Sequence, residues 1–151
     1  MITIIAVGKK HEDWIMPGLE RYQKRLRKPF DVEWVLLPHS RAEGVEAREE
    51  ESQAILSRLN SYSYVVLLDE TGKNIDSPTL SEKLEAMFNS SKSIVVVIGG
   101  AYGVNATLLD RADFVWSLSK LVFPHQLVRL VLLEQLYRSQ EISRGGGYHH
   151  L

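Results

Sequence analysis

The sequence contains no cysteine, and this absence excludes disulfide bonds and thiolate metal sites. No apolar run approaches the ~20 residues that a membrane-spanning helix needs. The opening residues, MITIIAVGKK, have too short an apolar run for a signal peptide, and their charges follow that run instead of preceding it. These features predict a soluble protein of the cytoplasm.

Several nucleotide and catalytic motifs are also missing. Gly8 stands alone after the first apolar run, so the chain lacks the G-x-G-x-x-G of a dinucleotide site. Gly72-Lys73 lacks the upstream glycine of a P-loop. Neither H-E-x-x-H nor G-x-S-x-G occurs, which argues against a zinc protease and a serine hydrolase. We therefore expect no catalytic metal.

The net charge is only −1, yet the charges are unevenly distributed. Between Lys9 and Lys28, seven basic residues outnumber three acidic ones, whereas the segment from Glu43 to Glu51 holds five glutamates. A local basic surface attracts phosphates even when the whole protein is nearly neutral. The solvated side of an ordinary helix explains the basic segment as well, so both interpretations stay open.

Short β-type runs alternate with helical patterns along the 151 residues. This alternation predicts one α/β domain over residues 1–151, with a mainly parallel sheet and helices on both faces. The fourth run, Ser93 to Ile98, is apolar on both sides, as expected of a central covered strand. Predicted strands cover residues 2–7, 32–37, 64–68, 93–98 and 114–118. Predicted helices cover residues 14–26, a segment around 55–59, one capped by Ser77, one capped by Asn105, and 125–143.

Three predicted strands end in unusual residues. Ligands of open α/β sheets bind beyond the carboxyl ends of the strands. The third strand runs into a predicted turn at 69–73, the fourth into Gly99-Gly100, and the fifth into an apolar loop ending at Pro124. Each has a structural explanation alone, as a turn glycine or a core loop. Together they predict a pocket with main-chain recognition and apolar walls for a flat base.

The last predicted helix is unusually apolar. Six of the seven residues from Leu127 to Leu133 are apolar, so this helix is predicted to be covered on more than one side. A second copy of the chain, in a homodimer, would supply the cover; burial under the chain's own loops is the alternative. The exception, Arg129, needs an anionic group or an ion pair with Glu134 or a neighbouring acid.

Five segments resemble one family over the whole chain: AVGKK, LLDETGK, VIGGAYGV, SLSKLVFPHQLVRLVLLEQLYR and the terminal YHH. The chain resembles the ribosomal large-subunit pseudouridine N3-methyltransferases of the SPOUT superfamily. The FPHQLVR and EQLYR block with the terminal Tyr-His-His is the most specific part. The resemblance implies a C-terminal trefoil knot, an obligate homodimer, S-adenosylmethionine as cofactor, and a pseudouridine of 23S ribosomal RNA on the assembled ribosome as substrate.

The resemblance also implies a set of site residues. The candidate catalytic residues are Arg138, Tyr148, His149 and His150, and the sequence does not choose among them. Removal of the N3 proton needs a general base or a cation that stabilises the anion, whereas Tyr148 is suited to stack on a nucleobase. We expect Lys24, Arg25, Arg27 or Arg144 to contact phosphates. The residues expected to bind the cofactor are Leu68, Gly99, Gly100, Leu118, Ser119, Lys120, Leu121, Val122 and Phe123.

Two other functions fit the same residues. A non-catalytic module for ribosome binding or assembly would use the basic face without needing a cofactor. A metabolic enzyme would hold a nucleotide in the same crevice and would not bind ribosomes.

Overall fold

A computed structural model describes residues 1–150, and its centre is a five-stranded sheet in which every strand pairing is parallel. The strands are β1 (Ile2–Val7), β2 (Val32–Leu37), β3 (Ser63–Lys73), β4 (Ser93–Ile98) and β5 (Phe114–Trp116). The helices are α1 (Met16–Gln23), α2 (Gly44–Leu56), α3 (Ser77–Phe88), α4 (Ala106–Arg111) and α5 (His125–Ser143). The strand order is β2-β1-β4-β3-β5.

Helices cover both faces of this sheet, as the alternation predicted. One face packs against α1, α3 and α5, and the core there includes Ile98 and Leu133. The other face packs against α2 and α4 through Ile55 and Leu108. All the residues of β4 after Ser93 are buried, which confirms it as a central strand.

The prediction of a turn at 69–73 was wrong, because β3 continues through those residues. Its last residue, Lys73, pairs with Trp116 of β5 after an irregularity in register, and the Lys73 carbonyl accepts a hydrogen bond from the Ser117 N–H. The close approach requires Gly72, since a Cβ there would lie 2.6 Å from the Val115 carbonyl oxygen. Long-range pairing overrides the turn-like composition of this segment.

Three predicted boundaries also differ. β5 ends at Trp116 instead of residue 118, because the Ser117 hydroxyl donates to the Ser119 carbonyl and begins the loop. Asp76, not Ser77, caps α3, because the Asp76 carboxylate accepts from the Thr79 N–H at 2.9 Å. α1 ends at Gln23, well before Pro29. After Gln23 the N–H groups of Arg25 and Leu26 donate to carbonyls three residues earlier, which tightens the chain.

α5 occupies the predicted range and rests on the sheet between α1 and α3. Its residues Leu132, Leu133 and Leu136 are buried within the chain's own core. The other two helices therefore supply much of the cover that the apolar sequence of α5 requires. No helix within residues 1–150 has the length and apolar character of a membrane span.

Candidate active site

A cavity of about 390 Å³ opens beside Leu68 to Glu70 of β3 and at the carboxyl ends of β4 and β5. These places are neighbours, because Leu68 is in register with both Ile98 and Trp116. The cavity therefore lies where the sequence placed a ligand. Its lining includes all but one of the residues expected to bind a cofactor, namely Leu68, Gly99, Gly100, Leu118, Ser119, Leu121, Val122 and Phe123. The exception is Lys120, whose exposed side chain does not line the cavity.

Main chain forms the wall that follows β4. A Cβ on Gly99 would lie 2.9 Å from Val104 Cγ1, and a Cβ on Gly100 would overlap the Glu51 carboxylate. The Gly103 N–H donates to the Gly100 carbonyl, and Gly103 has a φ of +77°, a conformation that favours glycine. The glycines thus allow a tight turn that a side chain would obstruct.

The opposite wall is an apolar loop open to solvent. Leu121 is 70% exposed and Val122 is 79% exposed. The loop is ordered locally, since the Ser119 hydroxyl oxygen accepts from the Leu121 N–H at 3.0 Å. Apolar side chains held in the open beside a cavity suit a flat aromatic ligand, which would cover them on binding.

Polar residues that the sequence did not single out complete the lining. Asp69 and Glu70 contribute to it from β3, and the Asp69 carboxylate accepts from both the N–H and the hydroxyl of Thr71. His125, the first residue of α5, lines it from another side. Partial burial and the Arg129 guanidinium lower the pKa of His125. The available signal was the position of Asp69 and Glu70 directly after the apolar run 64–68, and of His125 at the predicted start of α5.

Within residues 1–150, no acid forms an ion pair with Arg129, so Glu134, one of the partners that the sequence offered, is not its partner. The fully buried guanidinium instead donates to the carbonyl oxygens of Val7, Gly8 and Lys10 and to Nδ1 of His11, at 3.0 to 3.3 Å. Main-chain oxygens gather there because the chain leaving β1 turns over α5. Arg129 therefore fixes the β1–α1 connection to the helix that follows the cavity loop.

Glu134 binds Arg138 instead, one turn along α5. The Arg138 guanidinium donates to Glu134 Oε1 from Nε at 2.9 Å and from Nη2 at 2.6 Å. The hydrogen bond to Glu134 raises the pKa of Arg138, so this side chain stays charged. It also donates from Nη1 to His149 Nδ1 at 2.9 Å.

The C-terminal residues fold back onto this pair. The Tyr148 ring lies 4.8 Å from the Arg138 guanidinium and 4.8 Å from the Tyr137 ring, and its hydroxyl donates to Glu134. Partial burial, the Tyr22 phenol and the Glu134 carboxylate raise the pKa of Tyr148 to about 12. Its phenol is therefore protonated at neutral pH.

A second cavity of about 480 Å³ adjoins the first and shares Trp116 and Leu118 with it. His149 and His150 line this second cavity together with Asp76 and Gln135. The structure thus brings all four catalytic candidates to one region: three touch directly, and the fourth lines the same cavity as His149. Within residues 1–150, no group of three or more His, Asp or Glu side chains is placed to hold a metal ion.

Comparison with known proteins identifies the family. A family described as predicted SPOUT methyltransferase matches residues 1–149. The chain belongs to the SPOUT methyltransferase family. It is 42% identical to a protein of Acetivibrio thermocellus and 38% identical to one of Desulfitobacterium hafniense. It is also 36% identical to one of Coxiella burnetii, and each of the three alignments covers 98% of both chains.

Those three relatives carry the name ribosomal RNA large subunit methyltransferase H. As a SPOUT methyltransferase the chain needs a methyl donor. The two adjoining cavities offer a methyltransferase room for a donor and, beside it, a space lined by His149 and His150. The charged Arg138 binds His149.

Proposed function

We propose that this SPOUT methyltransferase uses S-adenosylmethionine to methylate N3 of a pseudouridine in 23S ribosomal RNA. The names of the relatives support ribosomal RNA as the substrate, and the family supports methyl transfer. The observation that carries the proposal is the cavity formed by residues 68–70 of β3 and the ends of β4 and β5, near the Arg138 and His149 pair. The assembled ribosome presents the nucleotide, in the cytoplasm.

The residues around the first cavity fit S-adenosylmethionine. Its volume of about 390 Å³ lies in the range of small-molecule sites. The exposed apolar loop around Leu121 and Val122 suits the adenine, and the glycine wall leaves main-chain groups free to bind ribose and amino-acid atoms. The residues assigned to the cofactor are Leu68, Gly99, Gly100, Leu118, Ser119, Leu121, Val122 and Phe123. Lys120 belongs to the same loop but does not line the cavity.

When bound, S-adenosylmethionine supplies an electrophilic methyl group on a sulfonium, which an in-line nucleophile accepts. The protein's task is to hold the acceptor base in line and to manage its proton. We assign the base to the second cavity. The permanent charge of Arg138 stabilises the anion that forms as N3 loses its proton. His150 accepts that proton, because Nδ1 of His149 already accepts from Arg138 and its other ring nitrogen then carries the hydrogen. The protonated Tyr148 phenol acts by stacking and hydrogen bonding.

Exposed basic residues of the α1 region provide contacts to RNA phosphates. Lys24, Arg25 and Arg27 are exposed, as is Arg144 beyond α5. The Arg27 guanidinium already donates to two carbonyls of its own turn, so Lys24, Arg25 and Arg144 are the freer cations. Phosphate contacts of this kind position the RNA without reading its sequence.

We also propose that the chain, as one domain over residues 1–151, carries the C-terminal trefoil knot of its family and acts as a homodimer. Leu127 and Val131 of α5 stay partly exposed beside the much more exposed Leu121 and Val122, and this apolar surface supports a dimer.

The experiment is mass spectrometry of 23S ribosomal RNA from a strain that lacks this protein. We expect one N3-methylpseudouridine to disappear and to return when the intact gene is supplied. Return with an Arg138→Met variant would show that this cation is dispensable. An unchanged modification pattern in the deleted strain would contradict the proposed function and favour the ribosome-binding module.

A further inference from the structure

A buried acid lies behind the glycine wall of the first cavity. Glu51 belongs to α2 and is only 6% exposed. Its Oε2 accepts a hydrogen bond from the Ser40 N–H at 3.0 Å and lies 3.9 Å from His39 Nδ1. Its Oε1 is buried and accepts no hydrogen bond from the described residues. A buried acceptor without a donor costs free energy, so this oxygen is poised to gain from a cation brought near it.

Gly100 lies between this oxygen and the cavity. Oε1 packs against Gly100, where even a Cβ would overlap it, and Gly100 itself lines the cavity. The side chain of Val7 closes the other side, 3.3 Å from the same Cβ position. Because Gly100 has no side chain, the Glu51 carboxylate lies directly behind a residue that lines the cavity.

The cavity is therefore asymmetric. Its Leu121 to Phe123 end is apolar and exposed, whereas the end beyond β4 lies next to Glu51, with His125 in the wall. His39, Arg129 and Glu51 all act electrostatically on His125, so charged groups surround this end. Asp69 and Glu70, on the β3 side, are the acids that line the cavity itself, and Asp69 already accepts two hydrogen bonds from Thr71.

We propose that the Glu51 carboxylate is the counter-charge for the α-ammonium group of the methyl donor's amino-acid tail, which points the tail toward Gly100 and the adenine toward the apolar loop. This assignment rests on the proposed function, since it takes S-adenosylmethionine as the donor. An ammonium is the matching ligand group because it carries a full positive charge, which a buried carboxylate attracts across the intervening main chain of Gly100.

Calorimetric titration of the purified protein tests the assignment with three adenosine compounds. S-adenosylhomocysteine has the ammonium and the carboxylate, S-adenosyl-3-thiopropylamine has the ammonium alone, and 5′-methylthioadenosine has neither. We expect Glu51→Gln to weaken the binding of S-adenosylhomocysteine and of S-adenosyl-3-thiopropylamine by about tenfold to a hundredfold. The affinity for 5′-methylthioadenosine should stay within about threefold. Unchanged binding of methylthioadenosine shows that the variant is folded with its adenosine site intact.

Glu50→Gln is the matched control, because Glu50 is the exposed neighbour of Glu51 on α2 and does not line the cavity. It should bind all three compounds as the unaltered protein does. Equal weakening of all three by Glu51→Gln, or no weakening, overturns the assignment, as does selective weakening by Asp69→Asn instead. If the unaltered protein binds none of the compounds, the proposed function fails with it.

Discussion

At the scale of single residues, the buried charge of Arg129 is held mainly by main-chain carbonyl oxygens. The Arg129 guanidinium donates to three carbonyls and to His11 Nδ1, so His11 must accept with that nitrogen and be neutral. Partial burial and the Arg129 charge lower the pKa of His11 below its ordinary value of 6.5. This contact couples the protonation of His11 to the stability of the β1–α1 connection.

The coupling predicts acid sensitivity. The unfolded chain binds a proton at His11 near the ordinary pKa, whereas the folded chain binds it only at lower pH, so stability is lost as the pH falls below about 6.5 toward the folded value. Urea denaturation at about pH 7.5 and about pH 5.5 measures the loss. We expect His11→Gln to lose less stability over this interval than the unaltered protein. An identical loss in both proteins would contradict the role of His11.

At the scale of elements, the edge of the sheet depends on Gly72. A Cβ there would press on backbone atoms of Val115 and Trp116, which cannot move aside as a flexible side chain can. Gly72→Ala should therefore lower the free energy of unfolding by about 1–3 kcal/mol by separating β3 from β5. Gly147→Ala is the control, because a Cβ at Gly147 meets no atom within 4 Å. Equal stability of the two variants in urea denaturation would refute the close approach.

The C-terminal tail is the element that we expect to separate catalysis from cofactor binding. Tyr148 and His149 contact Arg138 and Glu134, whereas neither lines the first cavity. Deletion of residues 148–151 should abolish transfer of labelled methyl groups to ribosomes and leave cofactor affinity within about threefold. Loss of cofactor affinity in proportion to activity would mean that the tail supports the donor cavity instead.

The bounds of the strands and helices also show which of them a sequence pattern can predict. β1, β2, β4 and α5 have their predicted bounds, because continuous apolar runs and strong helical spacing mark them. The second half of β3 was missed, because its Asp, Gly and Lys residues favour turns locally and only pairing with β5 holds them extended. Similarly, the position of Glu51 behind Gly100 has no local signal, since glutamates in a helix ordinarily face solvent.

At the scale of the whole molecule, the parallel sheet made the cavity predictable. Parallel strands run toward one edge, so residues 68–70 of β3 and the residues after β4 and β5 had to meet there once the strand order allowed it. The meeting of Arg138 with Tyr148 and His149 was not predictable from periodicity, because it depends on how the chain turns back after α5. Family resemblance alone brought those residues into consideration.

The proposed homodimer is also a property of the whole molecule. The α1 and α3 helices already cover much of α5, so only its partly exposed residues and the neighbouring apolar loop remain for a second copy. Sedimentation equilibrium at micromolar concentration should give twice the chain mass of 17.2 kDa. Detection of the monomer mass alone would remove the dimer from the account.

The most direct test of the central claim is backbone amide NMR of the protein titrated with S-adenosylmethionine. The account predicts that the largest chemical-shift changes fall in residues 68–70, 99–104, 118–119 and 121–123, which line one cavity although they are far apart along the chain. No shift change at saturating concentration, or changes concentrated on the α2 and α4 face, would contradict it.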